Sequence, residues 1–236
     1  TVDVELSELF DELAAIAIDG PKAVGKTTTA HQHVGAVINL DSKRTREAVE
    51  AEPDVVASRE RPLLIDEWQK VPEVWDVVRH VVDRDRRPGQ FLLVGSASPA
   101  PGATAHSGAG RIGRLRMRAM TLEERGVATP TVSVRTLLQG GAPTLAGECP
   151  LTLVDYVGEL VASGLPGLRG LGTRALNFQL DSYLHNIVDR DVPDQGLAVR
   201  RPDALRRWMA AYAAASSTTA NYSQILDAST PGHVDK

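Results

Sequence analysis

Gly20, Pro21, Lys22, Ala23, Val24, Gly25, Lys26 and Thr27, followed by Thr28, fit the spacing G-x-x-x-x-G-K-[ST]. Each type has a chemical task at that spacing. Glycines adopt dihedrals closed to other residues, so successive backbone N–H groups can curl around a phosphate. The start of a helix behind them adds a favourable field for an anion. Lys26 would reach the β- and γ-phosphates of a nucleotide as a point charge, and the Thr27 hydroxyl would bind Mg2+. The alternative is a chance match in an ordinary turn. The context of strand, glycine turn and helix argues against it, and residues 20 to 28 are expected to hold the nucleotide.

The run Leu63, Leu64, Ile65 ends in Asp66 and Glu67. An apolar strand ending in two carboxylates suits phosphoryl transfer opposite a phosphate loop. Asp66 is expected to hold Mg2+ through water, and Glu67 to orient or deprotonate the attacking water. On the other reading the pair is a solvated strand end. Glu directly after Asp favours hydrolysis over phosphorylation of a small molecule. No Asn-Lys-x-Asp segment occurs, which points to ATP rather than GTP.

Other residues are more ambiguous. Ser96, after Gly95, sits where a small polar side chain can touch the γ-phosphate or the water, or can simply belong to a turn. Arg111 and Arg114 are candidates for an arginine finger or for a solvated basic edge. His31 and His33 lack acidic company in sequence, so no metal is expected there. Trp68 and Trp75 read as packing anchors. Arg200, Arg201, Arg206 and Arg207 could meet DNA phosphates or form a solvated helix start.

The elements that must position these groups follow from hydrophobic periodicity. Short apolar runs at 16–19, 36–40, 63–65 and 91–94 read as strands, and stripes around 5–13 and 74–82 read as helices. Strands alternating with helices and apolar on both faces predict an α/β fold with a parallel sheet covered on each side. A fifth strand with one wet face is expected from Arg111, after a segment at 98–110 too poor in apolar residues to pack and read as a mobile loop. Beyond 127 the pattern is helical, and the expected domains are 1–140 and 141–236.

Composition sets the outer bounds. Hydrophobic residues make up 42% of 236, enough for a packed core, and a net charge of −4 gives no global pull towards nucleic acid. The single cysteine, Cys149, excludes an internal disulfide and fits a reducing compartment such as the cytoplasm. No apolar stretch is long enough to span a membrane, so none is expected as a partner. The chain opens at Thr1, which suggests a trimmed N-terminus.

The segments IDGPKAVGKTTTA, LLIDEWQKVP, FLLVGSASP and MTLEERG recur in this order, with LPGL at 165–168 and NIVDRDV at 186–192. Together they resemble a bacterial and archaeal family of predicted ATPases of the AAA+ superfamily, whose C-terminal region is a domain of unknown function. The resemblance covers nearly the whole chain. It implies a sheet of strand order 5-1-4-3-2 and gives Ser96 the place of the first sensor residue. Arg111 stands where the family commonly has a Gly-Arg pair, and in AAA+ proteins such an arginine often reaches a neighbouring subunit's γ-phosphate. A homo-oligomer is therefore among the expectations. Family members usually run longer, and NYSQILDAST resembles the start of a winged-helix-type segment, so a truncated chain or a shorter member is expected.

Two functions follow. One is an Mg2+-dependent ATPase using Lys26, Thr27, Asp66 and Glu67, converting ATP to ADP and phosphate. The other is a nucleotide-gated switch with slow or no hydrolysis, in which the C-terminal region binds DNA or a protein. A small-molecule P-loop kinase lacks an evident acceptor pocket and an arginine-rich lid.

Overall fold

A strand flanked by other strands and covered on both faces must be apolar along its length, and three segments here meet that demand up to the aspartate or glycine that ends each. In the computed structural model, which describes residues 1–95, 108–142, 146–194 and 196–230, these are β1 (Ala15–Asp19), β3 (Leu63–Asp66) and β4 (Phe91–Gly95). The less buried β2 (Ala36–Asn39) and β5 (Ile112–Arg116) mix buried and exposed residues and form the two edges. All pairings are parallel, in the order β2-β3-β4-β1-β5, which is the expected 5-1-4-3-2 read from the other side.

Alternation along the central strands divides the core in two. Ala15 and Ala17 of β1 face one side with Ile65, Phe91 and Leu93. There they meet Val74, Trp75 and Val78 of α4 (Glu73–Arg84), and Trp68 from the turn before it. The Trp68 and Trp75 rings lie 4.6 Å apart and both are buried, so they are packing residues as expected. Ile16 and Ile18 face the other side with Leu64, Leu92 and Val94, under Leu6 and Phe10 of α1 (Val2–Phe10) and Ala30 of α2 (Lys26–His31). The polar α3 (Lys43–Ala51) contributes only Val49 to the buried set.

Register matters most for the site. Asp19 is level with Gly95 on one side and Arg116 on the other, and Asp66 is level with Val94 and Asn39. The carboxyl ends of β1, β3 and β4 therefore form one edge carrying Asp19, Asp66 and Gly95. In open parallel sheets ligands bind at that edge.

Beyond β5 the chain forms α5 (Val134–Leu138) and α6 (Leu153–Val161), the latter started by a capping box of Thr152 and Asp155. A 3-10 turn at Pro166–Leu168 follows. Three contacts hold this stretch together. Met120 N donates to Gly164 O at 2.8 Å, Arg125 Nη1 donates to Glu159 O at 2.9 Å, and Arg169 Nη1 reaches Glu159 Oε2 at 2.6 Å. The first compact unit accordingly extends from Thr1 to Leu171, past the expected division at 140. Those bonds draw the helical stretch after 140 back into it.

The second unit, Gly172–Lys236, contains α7 (Thr173–Asn186), a π-helical turn (Ile187–Asp191), α8 (Val192–Asp194), α9 (Pro202–Ala214) and α10 (Tyr222–Ser229). Its buried residues are few: Leu176, Val188, Ile225 and Ser229 among those described. Among the described residues no helix is long and apolar enough to cross a membrane.

Leu93 is fully buried at the centre of the Trp face. Leu93→Ala should cost about 2–5 kcal/mol in urea unfolding, since a cavity adds to the lost transfer energy. A loss under about 1 kcal/mol would show that this face is not tightly packed.

Candidate functional site

The phosphate-loop segment leaves β1 at Asp19 and enters α2 at Lys26, and its glycines are needed for two different reasons. Gly25 caps α2 with φ +102°, a conformation side chains rarely adopt. Gly20 is a matter of space, because a Cβ there would lie 2.2 Å from the Met117 carbonyl oxygen where the chain leaves β5. Ala23 also has a positive φ of 63°, and buried Val24 anchors the loop to the core. Lys26 is buried, and its Nζ donates to the carbonyl oxygens of Gly20 at 2.9 Å and Pro21 at 2.7 Å. Burial pulls its ammonium below the usual lysine range, while the charges of Glu67, Asp66 and Asp19 oppose that.

The carboxylates come from the strand ends. Thr27 Oγ1 donates to Asp66 Oδ1 at 3.0 Å, joining the start of α2 to the end of β3. Asp66 is buried, and this pushes its carboxyl above the usual aspartate range; the Thr27 bond works the other way. Glu67 follows in a left-handed conformation, φ 55° and ψ 42°, and accepts a hydrogen bond from Gln69 Nε2 at 2.5 Å. Asp19 is likewise raised by burial, against the attraction of Arg114, Lys26 and Arg116. A cleft of about 390 Å3 is lined by Lys22, Lys26, Thr27, Thr28, Glu67 and Pro166, among others. A hydroxyl and a carboxylate in contact beside a lysine are hard-oxygen donors suited to Mg2+ shared with phosphate oxygens. Among the described residues no group of three or more His, Cys, Asp or Glu could hold a metal by itself.

The structure thus brings together Gly20 to Thr28, Asp66 and Glu67. Ser96 lies outside the described residues, as does most of the 98–110 segment. Arg111 is not brought to the cleft. It precedes Ile112, which is level with Ala15 at the opposite end of β1 from Asp19, about 13 Å along the strands. Its Nε donates to Asp83 Oδ1 at 2.7 Å, holding that carboxyl below the usual range. Arg114 sits 5.4 Å above the Trp75 ring and 3.4 Å from Asp19.

His33 does have acidic company, which sequence proximity hides: Asp3 of α1 lies 3.1 Å away. In the second unit Arg206 is held by Asp189 at 2.6 Å and Asp203 at 3.0 Å, and Arg207 donates to the Ser229 carbonyl. Sequence reasoning missed Asp19, Gln69 and the Pro166–Gly167 turn as site residues. Asp19 ends an apolar run just as Asp66 does, a signal that was readable. Nothing in the spacing points from Pro166 to the loop.

The five-stranded parallel sheet with a glycine loop between β1 and α2 defines the class, a P-loop α/β protein. Residues 13–125 match the family model described as an AAA domain. Over that stretch the chain is similar to the AAA domains of P-loop proteins, in line with the resemblance that its motifs carry. It is 26% identical over 199 residues to the uncharacterized protein Rv2008c of Mycobacterium tuberculosis, and equally to Mb2031c of Mycobacterium bovis. That match covers 82% of this chain and 39% of each relative, so the chain spans well under half their length. Among solved structures it is similar to the RuvB Holliday junction branch migration motor of Thermotoga maritima, at 26% identity and TM-score 0.33, covering 52% of this chain and 46% of that one. It is also similar to AMPPCP-bound DnaA from Aquifex aeolicus, at 15% identity and TM-score 0.37, covering 98% and 81%.

Burial of Asp66 has a consequence for stability. A carboxyl whose folded pKa is raised favours the folded state below its unfolded pKa of about 3.9, and that benefit is lost as pH rises through the folded value. Asp66→Asn keeps an acceptor for Thr27 and removes the buried charge. It should raise the melting temperature at pH 7, with the gain vanishing near pH 3. Thermal unfolding across that range checks this, and an equal or lower melting temperature at pH 7 would contradict it.

Proposed function

We propose that the chain binds ATP with Mg2+ and hydrolyses it to ADP and phosphate. The observation that carries this reading is the Thr27–Asp66 hydrogen bond at 3.0 Å, beside buried Lys26 and in the same cleft region as Glu67. Backbone N–H groups of residues 22 to 28 take the phosphates, and Lys26 trades its loop carbonyls for β- and γ-phosphate oxygens. Thr27 and Asp66 would hold Mg2+, which when bound would neutralise charge on the phosphates. Glu67 accepts the proton of the attacking water, and Ser96 contacts the γ-phosphate or that water.

Arg111 fits this reading only between chains. Standing at the far end of the sheet from the cleft, it would serve a neighbouring copy in a homo-oligomer. The helical second unit is the proposed contact for DNA or a protein, with exposed Arg200 and Arg201 meeting phosphate if the partner is DNA.

Three variants test the assignment. Lys26→Ala should abolish tight ATP binding by calorimetry while leaving unfolding cooperative; unchanged affinity would remove the lysine from the site. Glu67→Gln should keep ATP and Mg2+ binding but slow phosphate release by at least ~10²-fold. Parent-like turnover in that variant would exclude Glu67 as the base. Turnover per chain should rise with protein concentration, and inactive Arg111→Ala mixed with Glu67→Gln should recover part of the activity. A flat dilution series with no rescue would rule out an arginine acting between chains.

A further inference from the structure

We propose that Gln69 is a positioning residue that orients the carboxylate of Glu67, an inference that rests on the hydrolase function proposed above. Glu67 turns the chain through a left-handed conformation, and the 3-10 turn Trp68–Lys70 folds it back. That path brings the Gln69 carboxamide to its neighbour but one, with Nε2 donating to Glu67 Oε2 at 2.5 Å. The terminal torsion of a glutamate is otherwise broad. One held oxygen fixes the plane of the carboxylate and decides which oxygen is committed to the protein.

The other end of the same amide is the second observation. Gln69 Oε1 is buried and has no hydrogen-bond partner. A buried acceptor left unpaired is costly and uncommon, so an amide kept in such a seat is retained for its donor end. The seat exists because residue 95 has no side chain. A Cβ on Gly95 would lie 2.5 Å from Gln69 Oε1 and 3.0 Å from Trp68 Nε1. Gly95 ends β4 level with Asp19, and β4 lies between the strands that supply the phosphate loop and the acids. The amide is thus wedged between the sheet's carboxyl edge and the carboxylate it holds.

A carboxylate held in one plane matters to the step that takes a proton from water, not to the binding of ATP. This gives a readout that a purely structural role would not move, a fall in kcat with KM and ATP affinity kept.

The test compares parent, Gln69→Leu, Gln69→Glu and Glu67→Gln by steady-state phosphate release, with ATP affinity titrated alongside. Gln69→Leu should lower kcat about tenfold or more and leave KM for ATP within about twofold. Gln69→Glu has nearly the same shape, so it should fold even if the leucine variant does not. It removes the amide donor, so its kcat should fall in the same way with ATP affinity kept. Gly95→Ala, which drives a methyl group into the amide's seat, should also lower kcat and leave KM for ATP within about twofold. If Glu67→Gln is inactive while both Gln69 variants keep the parent's kcat, the role of Gln69 is overturned and the base assignment stands. If Glu67→Gln turns over like the parent, the base assignment itself has failed and this inference falls with it.

Discussion

The hydrogen bond between Thr27 and Asp66 closes only because β4 lies between β1 and β3 in register with both. Thr27 follows β1 through the glycine loop, and Asp66 ends β3, two strand spacings or about 10 Å away across the sheet. The loop must cross that gap for the hydroxyl to meet the carboxylate at 3.0 Å. Gly25 in its left-handed conformation, and Gly20 beneath the Met117 carbonyl, are what let it do so. The fully apolar strands serve the same end, since a one-residue slip would turn Asp66 away from α2.

Three charged groups are drawn out of water at this edge, and each is shifted towards its neutral form by burial. Lys26 falls, and Asp19 and Asp66 rise. They tolerate one another because they are mixed in sign and hydrogen-bonded: Lys26 by loop carbonyls, Asp66 by Thr27, Asp19 by Arg114. An anion with a divalent cation would supply opposite charges to both sets at once, which fits the ligand proposed for this edge. Removing one member should affect the rest more than its own contacts suggest.

Much of this was legible in the chain. Contiguous apolar runs announced β1, β3 and β4, and motif spacing pointed to residues 20 to 28, Asp66 and Glu67, which the fold brings to one edge of the sheet. Arg111 was legible as a type but not as a place. Only the pairing of Ile112 with Ala15 puts it at the far end of the sheet. Gln69 was hidden because its meaning depends on a left-handed Glu67 and an empty Gly95, and neither leaves a periodic trace. Pro166 reaches the cleft by tertiary folding alone, and the helical stripes after 127 overstated burial. Leu153 and Leu160 of α6 are both 80% exposed.

The measurement closest to the central claim is a double-mutant cycle on the Mg2+ dependence of ATP affinity, using Thr27→Ala, Asp66→Asn and the pair together. If hydroxyl and carboxylate form one seat for the cation, Mg2+ should tighten ATP binding by the parent. Each single variant should lose most of that effect, and the double variant should lose no more than either. Full Mg2+ dependence in the double variant would contradict the account, because the two groups would then have no part in holding the metal.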